Sequence, residues 1–242
     1  MKIKNGTFSL SMKTNISFVI ASYNKRRQLE QVVKSILFRA IPGDQLVVVD
    51  DGSTDGTGPL AKELLRKEKD ILVRHTVNSG KGAALRTAQP LVNGDYVVIQ
   101  DADLEYSPED WPALIKPLRS GYADAVFGTR FGGAGEKRVL YFRHTLGNKL
   151  LTLISNLFTN LNLTDMETGY KAFKNELFCG LKLSEKGFGI EPEITAKLSK
   201  GGAAIYEVPI SYYGRTYEQG KKITWKDGLW AIWCVVRYQF GK

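Results

Sequence analysis

Three acidic residues at alternate positions, Asp101, Asp103 and Glu105, follow the apolar run Tyr96-Val-Val-Ile99. A run of that kind, opened by the turn residues Asn93-Gly94-Asp95, reads as a buried strand of a parallel sheet. In extended chain, residues two apart point to one side. The three carboxylates are therefore expected to converge just past the strand's C-terminal end, where open α/β sheets bind ligands. Three acids together repel unless a cation sits among them. Oxygen ligands at this density suit Mg²⁺ or Mn²⁺ bridging to a substrate's phosphates. The competing reading is a solvated acidic loop capping a helix that begins near Pro108.

A second acidic strand end supports a site. Asp50 and Asp51 close the run Gln45-Leu-Val-Val-Val49, and a carboxylate there can accept from a base N–H or a ribose hydroxyl. Gly52 and Gly56 allow a tight turn close to a ligand, although Asp51-Gly-Ser-Thr-Asp-Gly56 is also good turn and helix-cap chemistry. Asn78-Ser-Gly-Lys-Gly82 could set backbone N–H groups and the Lys81 ammonium near phosphates; it lacks P-loop spacing. Gly128-Thr129-Arg130 ends another strand with a guanidinium suited to bidentate phosphate contact. Arg143, Arg215, Lys221 and Lys222 are further basic candidates, each also readable as a solvated surface charge.

The elements that must position these residues alternate. Strands are expected at 16–20, 45–49, 71–75, 96–101 and 123–128. Helices are expected from Asn24, as N-cap, to about Ala40, then to about Lys69, after Gly82, and over 108–118. Such alternation implies a right-handed parallel sheet flanked by helices. After Gly128 the pattern changes. Residues 130–138 are glycine-rich and basic, a loop able to close over a ligand. Leu146, Leu150, Leu153, Ile154, Leu157 and Leu161 follow helical spacing and predict an amphipathic helix over 141–161. Strands at 170–174 and 204–208 flank a helix at 192–200. A last helix, 225–240, carries Trp225, Leu229, Ile232, Trp233, Val236 and Phe240 on one broad face. That face reads as core packing or an oligomer contact, or as an interfacial helix on a membrane.

At 242 residues and 43% hydrophobic, the chain suits one α/β domain with a sizeable core. Residues 1–15 read as a loose arm, 16–130 as a ligand-binding half, 131–222 as a second half and 223–242 as a terminal helix. A net charge of +9 favours anionic partners, yet no nucleic-acid module is present. Cys179 and Cys234 lie far apart in apolar surroundings and are expected to be buried free thiols of a reducing compartment. No signal peptide or run of roughly 20 apolar residues is seen, so the reading is a soluble or peripheral, cytoplasmic protein.

Taken together, Val19-Ile-Ala-Ser-Tyr-Asn24, Val48-Val-Asp-Asp-Gly-Ser-Thr-Asp-Gly56, Asp101-Ala-Asp103 and Gly128-Thr-Arg130 resemble the family 2 inverting glycosyltransferases of the GT-A, Rossmann-like fold. Asp165-Met-Glu-Thr-Gly-Tyr-Lys171, Phe188-Gly-Ile-Glu-Pro-Glu193 and Tyr213-Gly-Arg-Thr-Tyr-Glu-Gln-Gly-Lys-Lys222 are similar to the dolichyl- and polyprenyl-phosphate sugar synthase branch. The resemblance covers about residues 16–238. It implies a nucleotide-sugar donor, with Asp51 on the base and Ala21, Tyr23 and Asn24 lining that pocket. Asp50, Lys81 and Ala102 would belong to the same donor site. Asp101, Asp103 and Glu105 would bind Mg²⁺ or Mn²⁺ and the ribose-diphosphate. Arg130, Arg143 and Arg215, with Lys221 and Glu191, would serve the diphosphate and the acceptor phosphate. Asp165 would sit near the transferred sugar. Two departures stand out. Ala21-Ser-Tyr-Asn-Lys25 replaces the common Pro-x-Tyr-Asn-Glu, and the membrane-spanning pair of many relatives is absent.

The implied reaction is a single displacement of a hexose, mannose or glucose type, with inversion at the anomeric carbon. A lipid-phosphate acceptor is already an anion. A hydroxyl acceptor needs a base, for which Asp165 and Glu191 are the candidates. A phosphohydrolase using Asp101 and Asp103 leaves Asp50-Asp51 unexplained, and a non-catalytic nucleotide-sugar binder would turn over nothing.

Overall fold

The computed structural model describes residues 14–133, 138–139, 141–214 and 225–241. Its centre is a seven-stranded sheet in the order β3-β2-β1-β4-β6-β5-β7. The strands are β1 (Ile16–Ser22), β2 (Gln45–Asp50), β3 (Ile71–Arg74), β4 (Tyr96–Asp101), β5 (Ala125–Thr129), β6 (Lys171–Lys174) and β7 (Ile205–Pro209). The β-branched runs of β1, β2 and β4 are buried on both faces, as strands sandwiched between helical layers must be.

The expected parallel order holds for β1 with β2 and β4, β2 with β3, and β5 with β7. One strand departs from it. β6 runs antiparallel between β4 and β5, so β4 and β5 are not neighbours. Its N-terminal end consequently lies at the edge where β4 and β5 have their C-terminal ends.

Register fixes which residues share a layer. One core cluster contains Phe18, Ile20, Leu46, Val48, Val98 and Val126, with residues of α1 (Arg26–Arg39), α2 (Thr57–Leu64) and α4 (Trp111–Arg119). The other contains Val19, Val47, Val49, Val97, Ile99, Ala125, Phe127 and Phe173, with residues of α3 (Lys81–Ala88) and α7 (Ile190–Lys200). Odd-numbered positions of β1, β2, β4, β5 and β6 thus face the α3–α7 layer, as period-two alternation requires.

Several boundaries differ from expectation. Asn24 does not cap α1. It adopts φ +51, Lys25 occupies the cap position, and the Asn24 side-chain oxygen accepts from Thr54 N at 2.9 Å. The helix expected to reach Lys69 stops at Leu64, because the Asp70 carboxylate takes Arg66 and the Leu46 N–H into a turn. A short α6 (Asn175–Gly180) follows β6. Cys179 at its end is exposed rather than buried, while Cys234 is buried; both are free.

The larger correction concerns α5 (Phe142–Thr159). Leu146, Leu150, Leu153 and Leu157 are 57%, 54%, 65% and 78% exposed. Thr152, Ser155 and Thr159 form its buried stripe. The spacing correctly predicts a helix, but the leucine stripe faces outward. Hydrogen bonds explain the inversion: Met166 N donates to Thr152 Oγ1 at 3.2 Å, and Ser199 Oγ donates to the Thr159 carbonyl at 2.6 Å. α8 (Trp225–Phe240) packs on α5 and α7 through Ala231, Cys234 and Val235. Leu229, Trp233, Val236 and Phe240 are exposed, so its broad apolar face is not core packing.

Candidate active site

The sheet edge gathers the expected residues from odd positions of adjacent strands. Ala21 pairs in register with Asp101, and Ser22 with Asp50; the ends of β1, β2 and β4 are therefore flush. Ala21 and Asp101 fall on the α3–α7 side, and Asp51, one residue past β2, follows the same alternation. Asp50 and Ala102 fall on the other side, and both expectations for them need correction. Asp50 is fully buried, with Oδ2 accepting from Arg74 Nε at 2.7 Å and Oδ1 from Ser53 N at 3.1 Å. Ala102 lies within the opposite core cluster. Neither side chain lines the edge with Asp101.

Asp51 shapes the turn between β3 and α3. Its Oδ1 meets His75 Nδ1 at 2.6 Å and accepts from Ser79 N at 2.9 Å, while Oδ2 accepts from Gly80 N at 2.7 Å. A carboxylate offers about four acceptor positions, so Oδ2 keeps capacity for one more N–H. Gly80 takes φ +92 here, and a Cβ would strike the Lys186 carbonyl. Tyr23 is 44% exposed.

Lys81 opens α3 and reaches across to β4. Its Nζ lies 2.7 Å from Asp101 Oδ1 and 3.0 Å from Glu191 Oε1. Glu191 Oε2 in turn pairs with the fully buried Lys171. Burial opposes the charge on Lys81, but the Asp101 and Glu191 carboxylates outweigh it and hold the ammonium above its ordinary range. Burial likewise works against ionised Glu191, and Lys171 and Lys81 reverse it, keeping this carboxyl below its usual range. Charges alternate along Asp101, Lys81, Glu191 and Lys171, the arrangement that makes buried ions tolerable.

Arg130, at the end of β5, is buried with Asp165. Its Nε and Nη2 donate to the two Asp165 oxygens at 2.6 Å each, and its backbone N donates at 3.0 Å. The guanidinium also lies 5.2 Å from the Tyr212 ring centre. Despite burial, Asp165 holds Arg130 well above its ordinary range. Asp165 is itself set by Glu207 of β7, which accepts from Thr164 N and Asp165 N at 2.8–3.0 Å.

The expected convergence of three carboxylates is not found. β4 ends at Asp101 and residues 102–105 bend away, so alternation no longer aligns Asp103 and Glu105 with Asp101. Glu105 Oε2 instead accepts from Tyr212 Oη at 3.0 Å. Among the described residues, no three His, Cys, Asp or Glu side chains gather to hold an ion by themselves. The fit to a divalent cation is that of a half-site. Asp101 already holds a cation, the Lys81 ammonium, and Mg²⁺ is commonly held by one or two carboxylates plus substrate phosphates. Gly169 permits this crowding, since a Cβ there would collide with Asp101 Oδ2 and lie 2.7 Å from Lys81 Nζ.

Arg143 is exposed on α5. Arg215, Lys221 and Lys222 lie outside the described residues, as do 134–137 of the basic loop. Lys171, paired with Glu191, and Tyr212, against Arg130, adjoin these groups, although the sequence reading assigns neither a role. A lysine inside the strand Lys171-Ala-Phe-Lys174 was the available signal for the first.

Comparison with known proteins agrees with this architecture. Residues 17–180 match the model of "Glycosyl transferase family 2". The chain is 32% identical over 205 residues to a polyprenol monophosphomannose synthase of Mycolicibacterium smegmatis, covering 81% of this chain and 77% of that one. It is 30% identical over 210 residues to an undecaprenyl-phosphate mannosyltransferase of Micrococcus luteus, covering 84% and 85%. Among solved structures, glucosyl-3-phosphoglycerate synthase of Mycobacterium tuberculosis, in complex with Mn²⁺, UDP-glucose and phosphoglyceric acid, superimposes with a TM-score of 0.72. That likeness, at 23% identity over 94% of this chain and 80% of the other, concerns the fold. The chain is a glycosyltransferase, and it belongs to glycosyltransferase family 2.

Proposed function

We propose that the protein transfers a hexose, of mannose or glucose type, from a nucleotide-diphosphate sugar to a polyprenyl or dolichyl phosphate, with inversion and with Mg²⁺ or Mn²⁺. The observation that carries the choice of acceptor is the state of the two carboxylates expected as bases. Asp165 is held bidentate by Arg130, and Glu191 lies between Lys81 and Lys171. A hydroxyl acceptor needs a base to take its proton; a phosphate is already ionised and needs none. The relatives named for polyprenol and undecaprenyl phosphate support the same reading.

In this reading Ala21, Tyr23, Asn24 and Asp51 receive the nucleotide. Asp101, Asp103 and Glu105 serve the diphosphate and its metal, the last two from the bend that follows β4 rather than from the strand. Lys81 and Arg130 offset the charge that develops on the leaving diphosphate, an electrostatic effect that commonly dominates such catalysis. A divalent ion bound at the Asp101 half-site would add Lewis-acid neutralisation of the same charge. Residues 16–130 form the donor half and 131–222 the acceptor half, with Arg143, Arg215 and Lys221 serving the acceptor phosphate. Among the described residues, no helix is long and apolar enough to cross a membrane. The acceptor is reached by peripheral contact at the cytoplasmic face, through the outward apolar residues of α8.

The test is direct. The purified protein is incubated with undecaprenyl phosphate, Mg²⁺ or Mn²⁺, and in turn GDP-mannose, UDP-glucose and UDP-N-acetylglucosamine, with mass spectrometry of the lipid phase. One donor should yield a glycosyl-phosphoryl-lipid, and Asp103→Ala should lower that yield by about 10²–10³-fold. Full metal-dependent turnover by Asp103→Ala, or transfer only to hydroxyl acceptors, would overturn the reading.

A further inference from the structure

The loop from Asp165 to Tyr170 connects the two charged systems of the site. At one end Asp165 binds Arg130; at the other Gly169 abuts Asp101 and Lys81. Between them the carbonyls of Met166 and Thr168 accept from Lys171. Glu167 sits at the middle of this loop. It is partly exposed, yet its Oε1 is buried and has no hydrogen-bond partner. Its neighbours are otherwise engaged: Asp165 with Arg130, Glu191 with Lys171 and Lys81, Asp101 with Lys81. A buried, unpartnered carboxyl oxygen costs about 1–3 kcal/mol or more, and native structures leave few of them. One set between the Arg130–Asp165 pair and the Glu191–Lys171 pair is accounted for by a ligand that supplies the missing hydrogen.

We propose that Glu167 is a substrate-contacting residue whose Oε1 accepts a hydrogen bond from a hydroxyl of the donor's hexose. The inference rests on the donor reading above. A nucleotide offers its base and ribose to the Ala21–Asp51 side and its diphosphate to the Asp101–Arg130 side; the hexose lies beyond the diphosphate, toward the 165–170 loop. A hydroxyl is a donor, and an ionised carboxylate is an acceptor with no competing proton.

Titration gives the proposal a sign. Burial, then the Glu191 charge, push the Glu167 carboxyl up to about 7, against Lys171 and Arg130; Asp165 adds to the rise. The charged groups facing it are thus Glu191 on α7, Lys171 on β6, Arg130 at the end of β5 and Asp165 on its own loop. A hydroxyl donating to Oε1 favours the ionised form. The bound carboxyl therefore has the lower pKa, and sugar recognition strengthens as pH rises through 7. Below 7 it weakens, toward tenfold per pH unit.

The experiment compares nucleotide-sugar with nucleoside diphosphate in calorimetric titrations at pH 6, 7 and 8, for the wild type, Glu167→Gln and Glu167→Ala. The probes are whichever donor the transfer assay identifies and its matching diphosphate. Glu167→Ala should lose about 10-fold or more of nucleotide-sugar affinity while diphosphate affinity stays within twofold. Glu167→Gln should lose less and abolish the pH dependence of the sugar's share. Equal loss for both ligands would mark a structural residue and overturn the proposal. So would no loss for either, a pH dependence of opposite sign, or a drop in turnover with sugar affinity intact, which is the behaviour of a base. If the wild type binds no nucleotide-sugar at all, the donor reading itself fails, and the two failures are distinct.

Discussion

The sheet edge and the α5–α8 helix pair obey opposite rules. At the edge, charged residues are buried or half-buried among apolar strands and are tolerated because they alternate in sign, as in Asp101, Lys81, Glu191 and Lys171. On the helix pair, leucine and tryptophan are exposed while threonine and serine are buried. Each region thus places its residues where transfer free energy alone would not. The edge pays that cost for chemistry that needs dry, fixed charges. The helices leave about ten large apolar side chains outside for something other than this chain's own core. Exposed apolar patches of this kind mark interaction surfaces.

The sharpest way to break the comparison is to unpair a charge at the edge. Asp165→Ala leaves the Arg130 guanidinium buried without its carboxylate. Removing one partner of a buried pair costs about 3–5 kcal/mol, so denaturant unfolding should show a loss of that size, with turnover falling alongside. A loss below about 1 kcal/mol would mean that Arg130 finds water or another acceptor, and the edge is less closed than its geometry implies.

A smaller effect is expected from Gly169→Ala. The added methyl must displace the Asp101 carboxylate or the Lys81 ammonium, and overpacking of this kind costs about 1–3 kcal/mol. Because both groups belong to the proposed diphosphate side, turnover should drop by more than stability explains. A variant that loses stability but keeps its turnover per folded molecule would separate Asp101 from the chemistry.

Much of this edge was legible in the sequence because register follows from hydrophobic runs. Ala21, Asp51 and Asp101 fall on one layer through simple alternation, and Arg130 follows a strand of the same sheet. What was not legible came from chain that leaves a strand or enters one unexpectedly. Alternation puts Asp103 and Glu105 on the Asp101 side only in extended chain, but β4 stops at Asp101. Asp50 and Asp51 are adjacent in sequence, yet adjacent strand positions face opposite layers. The antiparallel insertion of β6 brought Lys171 and Glu167 to the edge, and no local pattern announces such an insertion. For α5, the period gave the helix but not the face. Which stripe is buried was decided by side-chain hydrogen bonds to residues far along the chain.

That decision is testable at Thr152. Thr152→Val keeps the shape but removes the acceptor for the buried Met166 N–H, so a loss of at least about 1 kcal/mol is expected. If the variant is as stable as the wild type, the polar stripe does not hold α5 in its orientation.

The smallest effect is expected where a conventional amphipathic helix would show the largest. Burying Leu150 and Leu153 in a core would make their replacement by serine cost several kcal/mol, since Leu→Ala alone costs about 2–5. Both are more than half exposed. The double variant Leu150→Ser/Leu153→Ser should therefore unfold within about 0.5 kcal/mol of the wild type per site. Its consequence should appear elsewhere, in sedimentation with liposomes containing anionic lipid, where the wild type is expected to pellet. Trp233→Ala on α8 should weaken pelleting in the same assay, because Trp233 stacks on Trp230 at 4.6 Å and carries Arg237 over its ring, joining an apolar surface to a positive charge. Stability lost without any change in pelleting would return α5 to an ordinary packing role. Pelleting indifferent to anionic lipid and to both variants would leave the outward face to a second copy of the chain, which the concentration dependence of sedimentation velocity would then reveal.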